Sequence, residues 1–148
     1  RYVFKGMRKK PEVMEKVFWK LGDQILKYME LVKEYGGDLI SYADSSGGVN
    51  ILGPKMMEAV TVNFTYPFLK KVEQLADDKT MILLCPKTTL ALIGTEKAKF
   101  VDHQLEEPIG YAQACINMIG KARFAGQMCI KNVGYQLNHG IFKEVKLL

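Results

Sequence analysis

Four short apolar runs, DLISYA (38–43), TMILLC (80–85), AKFVDH (98–103) and ARFAG (122–126), alternate with longer segments whose apolar residues recur every three or four positions. Runs this short cannot be helices of ordinary length. Their flanking Gly, Pro and Asp residues mark them as buried strands. The intervening segments carry helical stripes. In residues 11–35 the stripe is Met14, Phe18, Leu21, Ile25, Met29 and Val32, opened by Pro11 and closed by Gly36 and Gly37. The segment after residue 53 places Met57, Val60, Phe64, Phe68, Val72 and Leu75 inward, with Pro67 predicting a kink. KTTLALIG predicts a short helix, EPIGYAQACINMIGK a helix with Ile109, Ala112, Ile116 and Ile119 inward, and residues 131–148 one or two short helices broken at NHG.

Strand–helix alternation of this kind predicts a parallel sheet with crossover helices. Two architectures satisfy it, an open doubly wound sheet and part of a (β/α)8 barrel. No GxGxxG or Walker loop follows any strand, which weakens the nucleotide-binding version.

Composition narrows the function classes. The 148 residues are 48% hydrophobic and 25% charged, values of one globular domain. No apolar run approaches the roughly 20 residues of a membrane helix, so no membrane role is expected. The net charge of +5 is spread along helix-like segments except at Lys5, Arg8, Lys9 and Lys10, which read as a solvated helix start rather than a nucleic-acid patch. Cys85, Cys115 and Cys129 form no CxxC pair, which fits a reducing cytoplasm. Arg1 at one end and an apolar pattern running into Leu148 at the other suggest a domain incomplete at both ends.

The polar residues gather where the strands end. After the first run comes Asp44-Ser45-Ser46-Gly47-Gly48; the others end in Cys85-Pro86-Lys87, Asp102-His103-Gln104 and Gly126-Gln127-Met128-Cys129. In a parallel sheet these ends share one rim, where barrels keep their sites. Each residue also has a plain reading: Asp44 as a turn cap, Cys85 as a small hydrophobe, His103 as a surface group, Cys115 as packing.

The order and spacing of KKPEVMEKVFWKLGDQILKYMELVKEYGGDLISYADSSGGVNILGPKMMEAVTVNFTYPFLKKV, ILLC, FVDH and KARFAGQMCIKNV resemble the C-terminal half of the uroporphyrinogen decarboxylase superfamily. That superfamily includes decarboxylases of porphyrinogens and corrinoid-linked methyltransferases. The resemblance implies a partial (β/α)8 barrel over residues 1–148, with Asp44 and Cys85 as catalytic residues and Ser45 at a substrate carboxylate; the shared rim adds Ser46, Asp102, His103 and Gln127 as expected substrate contacts. The resemblance also implies zinc and a corrinoid as cofactors, and a small-molecule substrate or a corrinoid protein as partner. Where the methyltransferases carry His-x-Cys this chain has Leu83-Leu84-Cys85, so Cys85 is the only metal ligand carried over. Ser46 replaces the aromatic that follows Asp-Ser in the decarboxylases, which places the chain nearer the methyltransferase branch. A non-catalytic half-barrel is the third reading. The open edges of a half-barrel predict a homo-oligomer.

Overall fold

The computed structural model describes residues 2–44, 47–132 and 134–148. Helix α1 (Tyr2–Lys9) turns at Lys10 into α2 (Pro11–Glu34). Pro11 suits the first turn of α2, where its missing N–H would have had no acceptor. Gly36, at φ +86°, ends that helix, and the Gly37 N–H returns to the Val32 carbonyl at 2.9 Å. Strand β1 (Leu39–Tyr42) follows, then α3 (Val49–Leu52) and α4 (Pro54–Val60).

A π turn over Thr61–Thr65 joins α4 to α5 (Tyr66–Val72). The expected break at Pro67 therefore takes this form: the wide turn sits just before the residue that lacks a donor. Strand β2 (Met81–Leu84) is buried at all four residues. Then come α6 (Pro86–Gly94), β3 (Ala98–Gln104), β4 (Ile109–Gly110), α7 (Tyr111–Asn117), β5 (Phe124–Ala125), β6 (Gln136–Leu137) and β7 (Ile141–Leu147).

The five-stranded sheet has the order β1-β2-β5-β7-β3, and β4 pairs with β6 in a separate two-stranded ladder. Strands β1, β2 and β5 are parallel. Strand β7 runs antiparallel to both of its neighbours, β5 and β3. The expected piece of a (β/α)8 barrel is therefore overturned: the sheet is open and mixed, with an antiparallel strand, β7, lodged between β5 and the edge strand β3. The cause lies in residues 141–147, which were expected to be helical. Ile141, Val145 and Leu148 do recur at helical spacing, but the same stretch also alternates, with Val145 and Leu147 packed on one face and Phe142 on the other. Gly140, at φ +62°, turns the chain into β7, and pairing along all seven residues of β3 decides for strand.

Both faces of the sheet are covered. On one, Ile40, Ile82, Leu84, Phe124 and Val145 pack against Phe68, Leu69 and Val72 of α5 and Leu92 of α6. On the other, Met81, Leu83, Ala125 and Phe142 pack against Tyr111, Ala114 and Cys115 of α7. Burial of apolar surface on this scale is the main force holding the layers together. Two expected stripes are displaced. Ile116 of α7 is exposed, the buried face being Tyr111, Ala114, Cys115 and Met118. Leu21 and Ile25 of α2 are exposed as well, while Gly22 faces the core against Phe64 and Phe68.

Candidate functional site

Strands β5 and β3 both oppose β7, so the four expected strands point the same way and their carboxyl ends lie on one side. The order of the sheet then decides which polar ends meet. Strands β1, β2 and β5 are neighbours; β3 stands beyond β7.

The turn after β1 is held by Asp44. Its Oδ1 accepts the Gly47 N–H at 3.0 Å, and its backbone carbonyl accepts the Thr88 hydroxyl of α6 at 3.3 Å. A Cβ on Gly47 would lie 2.7 Å from Asp44 Oδ2, so this turn needs glycine there. Gly48 is buried, and a Cβ on it would meet the Lys87 side-chain stem at 3.3 Å. The missing side chain leaves room there for Asn50 Oδ1 and the Lys87 stem. Burial, with the Asp44 carboxylate beside it, pushes the Tyr42 hydroxyl well above its usual range. Ser45 and Ser46 lie outside the described residues.

Cys85 ends β2 and caps α6. Its N–H donates to the Tyr42 carbonyl at 3.1 Å, its own carbonyl accepts the Thr89 N–H at 3.0 Å, and its side chain makes no capping bond. The thiol is half-buried. In the first helical turn Pro86 has no N–H, and those of Lys87 and Thr88 have no intrahelical acceptor. One turn in, the Thr89 hydroxyl is buried without a hydrogen-bond partner among the described residues. It faces β5: a Cβ on Gly126 would fall 2.2 Å from its oxygen.

The β2–β5 ladder ends with Leu83 beside Ala125, and beyond it the Gln127 side chain turns to β7. The Gln127 Oε1 accepts the Lys143 N–H of β7 at 3.1 Å. Under this segment lies Tyr111, stacked on Phe142 with centroids 6.3 Å apart. Its hydroxyl sits beside the N–H groups of Gln127 and Met128 and the Cys115 thiol without a well-aligned partner, and burial pushes its pKa up. Thus two buried, partnerless hydroxyls, Thr89 and Tyr111, flank the end of β5 from opposite faces. Most buried hydroxyls are paired, so these two carry a desolvation cost within the fold.

Asp102 and His103 stand elsewhere. Asp102 pairs with Lys143 at 2.8 Å, and His103 Nε2 with Glu144 at 2.8 Å. As consecutive residues of β3 they point to opposite faces. Three strand spacings, about 14 Å, separate β3 from β2. His103 and Asp102 instead border a cleft of about 820 Å³ with Glu106, Glu107 and Asn117. The structure thus links Cys85 to the end of β1 beside the Asp44 turn, turns Gln127 toward β7, and sets Asp102 and His103 apart. Lys87 and Gly126 were named from the sequence only as members of the polar strand ends, and Thr89 and Tyr111 were not singled out; the signal available for Thr89 was PKTT directly after a buried strand.

No group of three or more His, Cys, Asp or Glu side chains is placed to hold a metal ion among the described residues. Cys85 is grouped with no second thiolate or imidazole among the described residues, so the donor set does not fit the zinc that the resemblance implied. No helix among these residues is long and apolar enough to cross a membrane. Comparison with protein-family models, curated proteins and solved structures returned no match. The fold and site define a small mixed α/β domain with a polar rim where β2 enters α6.

Proposed function

We propose that the domain binds a small anionic molecule where β2 runs into α6, and that it serves methyl transfer involving that molecule. This is the reaction class of the corrinoid-linked branch it resembles. The observation that supports the binding step is the first turn of α6. There the Lys87 and Thr88 N–H groups lack intrahelical acceptors and lie at the positive end of α6, directly after the half-buried Cys85. Helix starts of this kind favour carboxylate, sulfonate or phosphate.

In this reading Lys87 and the two N–H groups hold the anion. Cys85 contacts the reacting end of the bound molecule. Asp44 acts through the turn it shapes, by placing Gly48 so that the Lys87 stem has room beside it. In the corrinoid-linked branch the methyl group comes from the corrinoid; the residues described bear on the acceptor alone. The decarboxylase alternative would need the Asp44 carboxylate under a pyrrole ring, whereas its Oδ1 accepts the Gly47 N–H.

The test joins calorimetry of 2-mercaptoethanesulfonate binding with methylcobalamin demethylation followed by absorbance. Binding is expected, weakened about tenfold or more in Lys87→Ala, the scale of one charged hydrogen bond. Demethylation is expected and should fall in Cys85→Ser. Binding without demethylation would leave an anion-binding module and remove methyl transfer; absence of binding would remove both.

A further inference from the structure

Helix α2 carries a second apolar face that nothing among the described residues covers. Val17, Leu21, Gln24, Tyr28, Leu31 and Tyr35 follow one another at spacings of four, three, four, three and four. All six are exposed, the five apolar ones by 41, 54, 69, 49 and 85%. This is the 3–4 repeat of a helix-pairing seam. It differs from the face that α2 turns to the core, where Gly22 and Met29 are buried. The six positions span about 27 Å at 1.5 Å per residue.

We propose that a second copy of this chain docks on this face, α2 against α2 in antiparallel orientation about a two-fold axis. Area is the first argument. With Val13 and Ile25 on its margins the stripe exposes on the order of 700 Å² of side chain, close to the roughly 800 Å² per partner of a standard interface. Charge and polarity supply the second. One antiparallel register sets Val17 against Tyr35 of the second copy, Leu21 against Leu31 and Gln24 against Tyr28. Four of the five apolar positions then meet an apolar one, and the fifth, Tyr28, meets the single amide with its hydroxyl within reach. The same register brings Lys20 beside Glu34 of the second copy, twice by symmetry. Lys27 meets its own copy at the axis, on the solvent-exposed rim, where like charges are screened. A parallel pair would instead set Gln24 against Gln24 and bring Lys20 and Lys27 toward the apolar side of the partner helix. The closed two-fold arrangement uses one patch on both copies, so it ends at a dimer.

Sedimentation equilibrium of the whole chain tests this. The wild type is expected as a dimer, and Leu21→Glu with Leu31→Glu as a monomer of unchanged helical circular dichroism. Lys20→Glu should weaken the dimer severalfold, and adding Glu34→Lys should restore it, a rescue that depends on the antiparallel register. A wild-type monomer at all concentrations, a dimer that survives the double Glu substitution, or failure of the charge exchange to rescue would overturn the proposal.

Discussion

A Cβ placed on Gly126 would fall 2.2 Å from the hydroxyl oxygen of Thr89. The end of β5 and the first turn of α6 are therefore in backbone-to-side-chain contact, with the Val145 side chain 3.0 Å from the same point. Gly126→Ala should destabilise the fold by about 1–3 kcal/mol, the usual cost of overpacking. A thermal melt would measure it, and an unchanged midpoint would contradict the packing described.

Thr89→Val removes the partnerless hydroxyl while keeping its shape. An unsatisfied buried hydroxyl costs stability, so the melting temperature should hold or rise. Anion binding should be unchanged, because the hydroxyl is sealed against Gly126 and cannot reach a ligand. A marked loss of stability would mean the hydroxyl already has a partner.

Cys115 is buried, and burial pushes its pKa up to about 11. The folded value exceeds the unfolded one, so the neutral thiol contributes stability below about pH 9 that is lost as pH rises toward 11. At neutral pH, mass spectrometry after brief iodoacetamide treatment should find Cys85 and Cys129 alkylated and Cys115 intact. Cys115→Ala should flatten the alkaline limb of stability. Early modification of Cys115 would contradict its placement under Tyr111.

The Asp77 carboxylate is held below its usual range, first by Lys33 at 2.5 Å and then by the Lys79 N–H. Its folded pKa is depressed, so its contribution is present above the unfolded value and fades as pH falls through the folded one. Asp77→Asn should make melting less sensitive to acidification below pH 4, and an acid limb of unchanged slope would count against the link. The group is fully exposed and the effect correspondingly small.

Asp102→Asn and His103→Ala should leave anion binding at α6 unchanged, since β3 lies beyond β7. Asp102→Asn should cost under about 1 kcal/mol, as for other exposed ion pairs. Weakened binding in either variant would place the ligand in the cleft beside His103 instead.

Much of the local structure was legible in the sequence. Met81 to Leu84 read as a buried strand because they are apolar without a break between Thr80 and Pro86. Gly36 and Gly37 marked the end of α2 because a positive φ there needs glycine. What stayed hidden was long-range. Nothing in residues 141–147 says that they will pair with β3 and β5, because one apolar pattern serves both a short helix and a strand. That single insertion moved Asp102 and His103 away from Cys85. The stripe on α2 was legible as apolar, but not which half of it would face the core. The unpaired hydroxyls of Thr89 and Tyr111 were illegible because such a group exists only relative to its neighbours.

The central claim is that an anion binds at the start of α6, between the Asp44 turn and the end of β5. Amide chemical-shift mapping during titration with 2-mercaptoethanesulfonate tests it most directly. The account predicts shifts concentrated at Gly48, Lys87, Thr88, Thr89, Gly126 and Gln127, and their loss in Lys87→Ala. Shifts confined to residues 102–107 and Asn117, or none at saturating ligand, would contradict it.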